Sequence, residues 1–396
     1  MITTTGAIPT IEPGTAEDLA ATLRRASDER QSIVIRGAGT KMDWARVPQR
    51  IDAFVSTRRL NRVLAHQHGD LTATIEAGAT LHEVNEALAR HGQSLPLDPP
   101  FADRATIGGI LAANDSGPLR HRFGTPRDLV IGVRLATTDG SLAKAGGQVV
   151  KNVAGYDLSK LVCGSFGSLA AIVSATFKLA PLPIASKTIV IEAPDVDALA
   201  GIVRDVMASQ LEPIAFEIQI SNVAQGFGPA SVLLRFASVP AAVDAQLDQL
   251  RALAALKGCA TRVVDGADER NAWALHSRGL WHAPGTIVRA SWLPADIASA
   301  VAALKGCATH ETAMIGRAAV GSGLIRIGGD ARTQANSVDA LRRSASFRNV
   351  VIVRGSDELK ALVDVWGPQG DRERLFASLK RALDPHGVLN AGRGPL

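Results

Sequence analysis

Residues 32–41 read SIVIRGAGTK. Ser32 to Ile35 is a short apolar run of the kind a buried strand uses, and Arg36-Gly37-Ala38-Gly39-Thr40-Lys41 is its glycine-rich exit. Backbone N–H groups can hold a phosphate without any charged side chain, provided no Cβ keeps the ligand away, and glycine removes that Cβ. The spacing is not G-x-G-x-x-G, because Gly39 is followed by Thr40, Lys41 and Met42. The G-x-x-x-x-G-K spacing of a triphosphate-binding loop fails as well. Taken alone, the stretch leaves two readings open: a phosphate cradle and a tight structural turn.

Two more glycine segments follow. Ala105-Thr106-Ile107-Gly108-Gly109 runs on to Asn114-Asp115-Ser116-Gly117, and Gly164 and Gly167 form a third group. Three such segments in the first 185 residues favour one extended pyrophosphate ligand over unrelated turns. The elements around them are mixed. A helix is expected over 14–29, with Thr15 as its cap and Glu17 and Asp18 in its first turn. Strands are expected at 54–55, 72–77, 129–137 and 172–179, with a hairpin turn at Asp139-Gly140 and a return strand from Leu142. Helices are expected over 79–90 and 158–163. Pro181 and Pro183 then mark a boundary, giving a first domain of 1–185.

Residues 186–365 change character. Strands at 186–192, 214–220, 231–237 and 259–264 alternate with helices at 195–209 and 240–256, which is the βαββαβ order of a ferredoxin-like unit. A second such order follows: strands 286–292, 313–320, 323–327 and 349–353, with helices 295–304 and 334–344. Leu256-Lys257-Gly258-Cys259-Ala260-Thr261 recurs as Leu304-Lys305-Gly306-Cys307-Ala308-Thr309, an offset of 48 residues. That offset does not carry one unit onto the next, so duplication, chance and a shared way of stopping a helix all stay open. The last segment, 366–396, holds a helix from Arg372 and the tail Leu383-Asp384-Pro385-His386-Gly387-Val388-Leu389-Asn390-Ala391-Gly392-Arg393.

Composition bounds the function. The chain has 396 residues, 46% hydrophobic and 20% charged, with a net charge of +5 from interspersed signs. Aromatic residues are only 4%, too few for a base-stacking surface, so no nucleic-acid partner is expected. The three cysteines, Cys163, Cys259 and Cys307, have no metal-ligand spacing and an odd count, which points to a reducing, cytoplasmic compartment. No apolar run approaches about 18 residues, so no direct membrane span is expected. Contact with the inner face of the cytoplasmic membrane would come through partner subunits.

The loops RGAGTK (36–41), ATIGGILAANDSG (105–117) and VKNVAGYDLSKLVCGSFGS (150–168), with the tail LDPHGVLNAGR (383–393), resemble the flavin-binding domain of the vanillyl-alcohol-oxidase/p-cresol-methylhydroxylase (PCMH-type) superfamily. Within it the chain is similar to the FAD-binding E subunits of bacterial glycolate oxidases. The resemblance implies an α+β fold: a PCMH-type FAD-binding domain of two subdomains, an antiparallel ferredoxin-like cap, and a C-terminal segment returning to the FAD domain. It implies FAD held without a covalent bond, since the first loop carries no histidine. The implied cofactor contacts are Arg36, Gly37, Ala38, Gly39, Thr40 and Lys41 at the pyrophosphate, and Thr106, Gly108, Gly109, Asn114 and Gly117 beside phosphates and flavin. Gly155 and Tyr156 would lie near the ring, Gly164, Gly167 and Ile172 at the adenosine end, and Asn390 by the flavin. Where the superfamily often reads GTLG, this chain has Gly167-Ser168-Leu169-Ala170.

Oxidising a 2-hydroxy acid needs a cation for the carboxylate, a base for the hydroxyl proton and a hydride acceptor. The histidine-rich metal segment of the D-lactate and 2-hydroxyglutarate dehydrogenase branch, H-x-G-D-G-N-x-H, has no counterpart; residues 321–328 read GSGLIRIG. No metal is expected. Arg278 is the candidate for the carboxylate, because a guanidinium matches it bidentately. His276 and His282 are the candidate bases, and all three lie in an aromatic, basic segment that suits a cap-to-core or subunit contact better than a catalytic site. His66 and His68 form an H-x-H pair that could bind metal from one strand face, but their place before Gly69-Asp70 favours a solvent loop; His386 reads as part of a helix stop, and the role of His121 is open. The implied function is the FAD-binding subunit of a glycolate oxidase (dehydrogenase) that oxidises glycolate to glyoxylate, partnered by a second flavin subunit and an iron–sulfur subunit. A stand-alone FAD-dependent D-lactate-type dehydrogenase and a flavin-free scaffold subunit are the alternatives.

Overall fold

Thr15 caps the first helix, Ala16–Asp28, through its hydroxyl, which accepts from the N–H of Asp18 at 3.0 Å. Leu19 and Leu23 fall one turn apart on its inner face and are fully buried. Burial of each such side chain contributes about 1.5–3 kcal/mol. The helix packs on a three-stranded parallel sheet ordered Thr10–Ile11, Ala53–Ser56, Ile33–Arg36. The tail of the chain joins this layer. Ile33 N–H donates to the Val388 carbonyl at 2.9 Å, and Asn390 N–H to the Ile33 carbonyl at 2.9 Å. The computed structural model describes residues 7–147, 156–221, 230–307 and 311–394.

A five-stranded antiparallel sheet stands beside that layer, ordered Val63–Gln67, Thr72–Glu76, Ala171–Lys178, Val130–Ala136, Leu142–Gly146. Its middle strand, Ala171–Lys178, is buried on both faces. Ala171 and Val173 point into the core of the parallel layer, and Ile172, Ala175 and Phe177 into a second core under helices Leu81–Ala89 and Ile107–Ala113. One strand thus locks two small cores together, and the first glycine loop leaves the parallel sheet at their seam.

The remaining strands form one eight-stranded antiparallel sheet. Its order is Ala260–Asp265, Ala185–Ala193, Ala230–Ser238, Ala215–Ile220, Ala313–Arg317, Ser322–Ile327, Thr286–Ser291, Arg348–Arg354. Each half is a βαββαβ run with spatial order 4-1-3-2, and the halves meet edge to edge through strands Ala215–Ile220 and Ala313–Arg317. Helices Val196–Ala208, Pro240–Ala255, Ile297–Cys307 and Ala331–Arg343 cover one face of this sheet over a shared apolar core. The two LKGCAT segments sit at non-equivalent junctions. The first follows Pro240–Ala255, the second helix of its unit; the second ends Ile297–Cys307, the first helix of its unit, and Ala308 and Thr309 lie outside the described residues. Gly258 ends its helix at φ +66°, whereas Gly306 lies inside Ile297–Cys307, so the repeat marks neither a shared helix stop nor an equivalent position in two duplicated units.

The stretch around Arg278, which joins the two βαββαβ runs, is a 17-residue helix, Gly266–His282. Glu269, Trp273, His276 and Leu280 recur at helical spacing on its inner side. Its last turn docks the eight-stranded sheet onto the rest of the chain: Trp281 stacks on Trp44 with centroids 5.0 Å apart and planes 8° from parallel. Ala45 N–H donates to the Val353 carbonyl at 3.0 Å, and Arg354 Nη1 to the Trp281 carbonyl at 2.8 Å. The chain just beyond the first glycine loop is therefore held between the two halves of the molecule.

Candidate active site

The first loop lines a cleft at the seam of the two small cores. The backbone N–H groups of Gly37, Ala38, Gly39 and Thr40 find no acceptor among the described residues. Gly39 adopts φ +76°, and a Cβ there would meet nothing closer than Met42 Cγ at 3.6 Å, so the space in front of it is open. Gly37 is different: its Cβ would come within 2.0 Å of Thr106 Oγ1. The Arg36 side chain turns away, donating to Thr10 Oγ1 at 3.0 Å and lying 4.2 Å from the Phe54 ring centroid. Lys41 is buried. Its Nζ lies 3.5 Å from Asp115 Oδ2 and 5.3 Å from the Trp44 ring centroid, and has no hydrogen-bond partner among the described residues. Burial lowers its pKa against the opposing pull of Asp115.

Beneath the loop lies Arg393, a residue the sequence reading quoted in the tail but gave no role. Its guanidinium donates to the carbonyls of Lys41 and Trp44, and burial brings its pKa down to about 10. Asn390, with φ +45°, is a second clamp. Its Oδ1 accepts from Ile35 N–H at 2.8 Å, and its Nδ2 donates to the Phe166 carbonyl. Both tail residues line the cleft, and both have their polar groups engaged by the protein.

Thr106, Gly108 and Gly109 face the first loop across the cleft, and Gly167, Ala170 and Ile172 close it from the third side. The start of helix Ile107–Ala113 is already bonded: Ile107 N–H donates to Ala79 at 2.9 Å and Gly108 N–H to Ala77 at 2.8 Å. Asn114 and Gly117 do not reach the cleft. Asn114 ends the helix at φ +46° and accepts from Arg127 N–H and the Cys163 thiol, both at 3.3 Å. Gly117 is pressed on Asp98, whose carbonyl oxygen a Cβ would meet at 2.0 Å. Gly164, at φ +82°, also stands behind the cleft wall, with its N–H on Leu111. Tyr156 is 92% exposed and away from the cleft, and Gly155 lies outside the described residues. Residues missed by the sequence reading supply the apolar walls: Ile35, Thr57, Ala77, Ala112 and Phe166. Their scattered positions carry no motif. Free main-chain donors at one end and apolar walls elsewhere fit a ligand that is anionic at one point and flat and apolar beyond it, as FAD is.

Cations from the eight-stranded sheet come down on the same region. Arg317 Nη2 donates to the Ser116 carbonyl at 3.1 Å, and Arg289 Nη2 lies 3.8 Å from Asp115 Oδ1. Asp115 thereby bridges Lys41 in the cleft and Arg289 above it. Arg317 Nε stands 3.4 Å from Glu217 Oε1, and His276 meets Glu217 Oε2 at 3.1 Å and Gln219 Oε1 at 3.2 Å. His276 is thus a buried partner of Glu217 inside the sheet and does not line the cleft. Arg278 and His282 are exposed, on a separate outer cleft shared with Asp98, Phe101 and Arg235. None of the three expected catalytic side chains reaches the flavin cleft, because the helix that carries them turns only Trp281 and Leu280 toward the junction. His121 is half-buried edge-on to Phe216, with centroids 5.9 Å apart. His386 ties the tail to the first helix through Ser27.

Comparison with known proteins agrees with this geometry. Residues 9–146 match the family described as FAD binding domain. Glycolate oxidase subunit GlcD of Bacillus subtilis (strain 168) is 27% identical over 97% of this chain and 88% of its own length. Glycolate oxidase subunit GlcE of Escherichia coli (strain K12) is 36% identical over a shorter stretch, 41% of this chain and 47% of that protein. Among solved structures, an alkyldihydroxyacetonephosphate synthase superposes with a TM-score of 0.74 at 16% identity, covering 97% of this chain and 75% of that one, which shows a shared fold. No described helix is long and apolar enough to cross a membrane. With residues of its glycine loops gathered on one cleft and a match to the FAD binding domain over residues 9–146, the chain is an FAD-dependent oxidoreductase.

Proposed function

We propose that this chain is the FAD-binding subunit of a multi-subunit glycolate oxidase (dehydrogenase), working on a small 2-hydroxy acid at a CH–OH group. The observation that carries the reading is the charge balance where the eight-stranded sheet meets the flavin cleft. Lys41, Arg289 and Arg317 converge there around Asp115 and Glu217, with Asp98 within electrostatic reach of Arg317. Arg120 adds a fourth cation whose pKa is lowered by burial and by Arg317 and Arg289. A gathering of cations favours an anionic ligand, and a guanidinium pair suits a carboxylate. The carboxylate-binding role proposed from sequence for Arg278 therefore passes to Arg289 and Arg317.

FAD supplies the hydride acceptor for the carbon that bears the hydroxyl. The residues of the chain do the rest. The N–H groups of Gly37 to Thr40 hold the pyrophosphate, and Asn390 and Arg393 fix the loop that presents them. Arg317 and Arg289 orient the substrate carboxylate, with Glu217 and His276 holding Arg317 in place from behind. Trp44, Trp281 and Phe101 seal the junction against water.

A second flavin subunit and an iron–sulfur subunit complete the electron path in this reading. Cys163, Cys259 and Cys307 stand in separate elements, and burial pushes the Cys163 thiol up to about 12, which supports an exit for electrons through another chain. The similarities to both GlcD and GlcE support the same assembly. The test is co-expression with the partner subunits and a glycolate-dependent dye-reduction assay. Arg317→Met should raise KM for glycolate at least about tenfold while flavin content stays at the wild-type level. An unchanged KM would remove Arg317 from the substrate site, and rapid turnover by the isolated chain would remove the need for partners.

A further inference from the structure

Three imidazoles converge at the edge of the five-stranded sheet, away from the flavin cleft. His66 lies on strand Val63–Gln67 opposite Ala73, His68 begins the turn that follows, and His91 comes just after helix Leu81–Ala89. In sequence the first two form an H-x-H pair with nothing to complete it; the fold brings in the third. The ring centroids are 4.1 Å apart for His66 and His68, 3.8 Å for His68 and His91, and 5.3 Å for His66 and His91. One ligand nitrogen from each ring lies within 4.8 Å of the other two. Their donors can close to the spacing of a tetrahedral site by small rotations of exposed side chains.

Gln93 shows that the site is built. Its Nε2 donates to the His68 carbonyl at 2.9 Å, which fixes the orientation of the amide. Its Oε1 therefore faces His66 Nε2 at 2.8 Å and can only accept, so His66 Nε2 carries the proton. His66 Nδ1 keeps its lone pair. An imidazole held by a donated hydrogen bond on one nitrogen, with the other free, is the arrangement of a metal-ligating histidine and its supporting acceptor. Gln93 itself is buried and anchored, in a short antiparallel pair with Pro181.

We infer that His66, His68 and His91 form a binding site for a borderline divalent cation such as Zn²⁺, with a fourth position open to water. Three neutral nitrogen donors select the zinc, nickel and copper class over magnesium or calcium. The ion would tie the hairpin at residues 67–72 to the end of helix Leu81–Ala89, and it would stabilise the folded state by mass action. None of the three histidines lines the flavin cleft, so the site is structural and separate from turnover.

The test is calorimetric titration of the FAD-loaded full chain with Zn²⁺, beside thermal unfolding with and without the ion. One ion per chain should bind and raise the unfolding temperature. His68→Ala and His91→Ala, both at exposed positions, should each weaken binding at least about tenfold and abolish the thermal shift. His82→Ala, on the same helix but outside the cluster, should leave both unchanged. A Cu²⁺-loaded sample should show nitrogen couplings in its electron paramagnetic resonance spectrum that His91→Ala reduces. Absence of saturable Zn²⁺ binding, or binding that survives both histidine substitutions, would overturn the inference.

Discussion

The first and second glycine loops carry the same kind of sequence and solve different problems. In residues 36–41 the main-chain donors are free, and Gly39 faces open space. In residues 106–117 the first donors are taken by Ala77 and Ala79, and Gly108 and Gly117 exist to let protein backbone pass. A Cβ on Gly108 would meet Ala77 Cβ at 2.8 Å, and one on Gly117 the Asp98 carbonyl at 2.0 Å. Glycine density therefore marks both a ligand cradle and the wall that backs it. Only the fate of the N–H groups and of the empty Cβ space tells them apart.

The largest expected effect of breaking this contrast is at the wall. Gly117→Val forces side-chain carbon into the Asp98 backbone and should cost about 3 kcal/mol or more, read as loss of soluble protein or collapse of the unfolding temperature. Gly108→Ala meets a smaller obstacle, the Ala77 Cβ at 2.8 Å and carbonyl at 3.0 Å, which the backbone there must yield to by a few tenths of an ångström. It should cost about 1–3 kcal/mol in a urea titration while FAD content per folded molecule is retained. If Gly108→Ala instead left stability untouched and emptied the protein of flavin, the second loop would be a cradle after all.

A subtler effect comes from Asp98, which holds the second loop through the N–H groups of Gly117 at 3.1 Å and Leu119 at 2.9 Å. Burial raises its pKa to about 7, against the lowering pull of Leu119 N–H and Arg317. The folded state therefore binds this proton more tightly than the unfolded chain does. Its contribution to stability is complete below the ordinary aspartate value and is lost as pH rises through about 7. The urea midpoint of the wild type should fall more between pH 5 and pH 8 than that of Asp98→Asn. Equal slopes would mean that Asp98 titrates normally.

The sequence was most readable where local rules act alone. Thr15 capping a helix, the Asp139-Gly140 hairpin and the βαββαβ runs all rest on periodicity and turn chemistry. The cleft was readable in its loops, because glycines after strands stand out, and unreadable in its walls, where Ala77, Ala112 and Phe166 look like any core residue. The catalytic candidates lie away from the flavin cleft for a longer-range reason. His276, Arg278 and His282 share an aromatic, basic segment, but which side of helix Gly266–His282 meets the cleft depends on how Trp281 stacks on Trp44. Arg289 and Arg317 escaped notice because each is a single arginine in an ordinary strand, brought to Asp115 and Ser116 only by the docking of the eight-stranded sheet. The histidine triad follows the same rule: two members were visible as neighbours, and the third came from another element.

In the proposed reading the open first loop, and not glycine richness in general, holds the cofactor. The direct measurement is the flavin absorbance near 450 nm relative to protein, for the wild type and for Gly39→Glu, with an unfolding curve for each. At φ +76° a glutamate costs about 1–3 kcal/mol of strain and otherwise meets no obstacle, so the variant should stay folded. It should also be colourless, because a carboxylate then occupies the place of the pyrophosphate. A folded Gly39→Glu protein that is as yellow as the wild type would contradict the account.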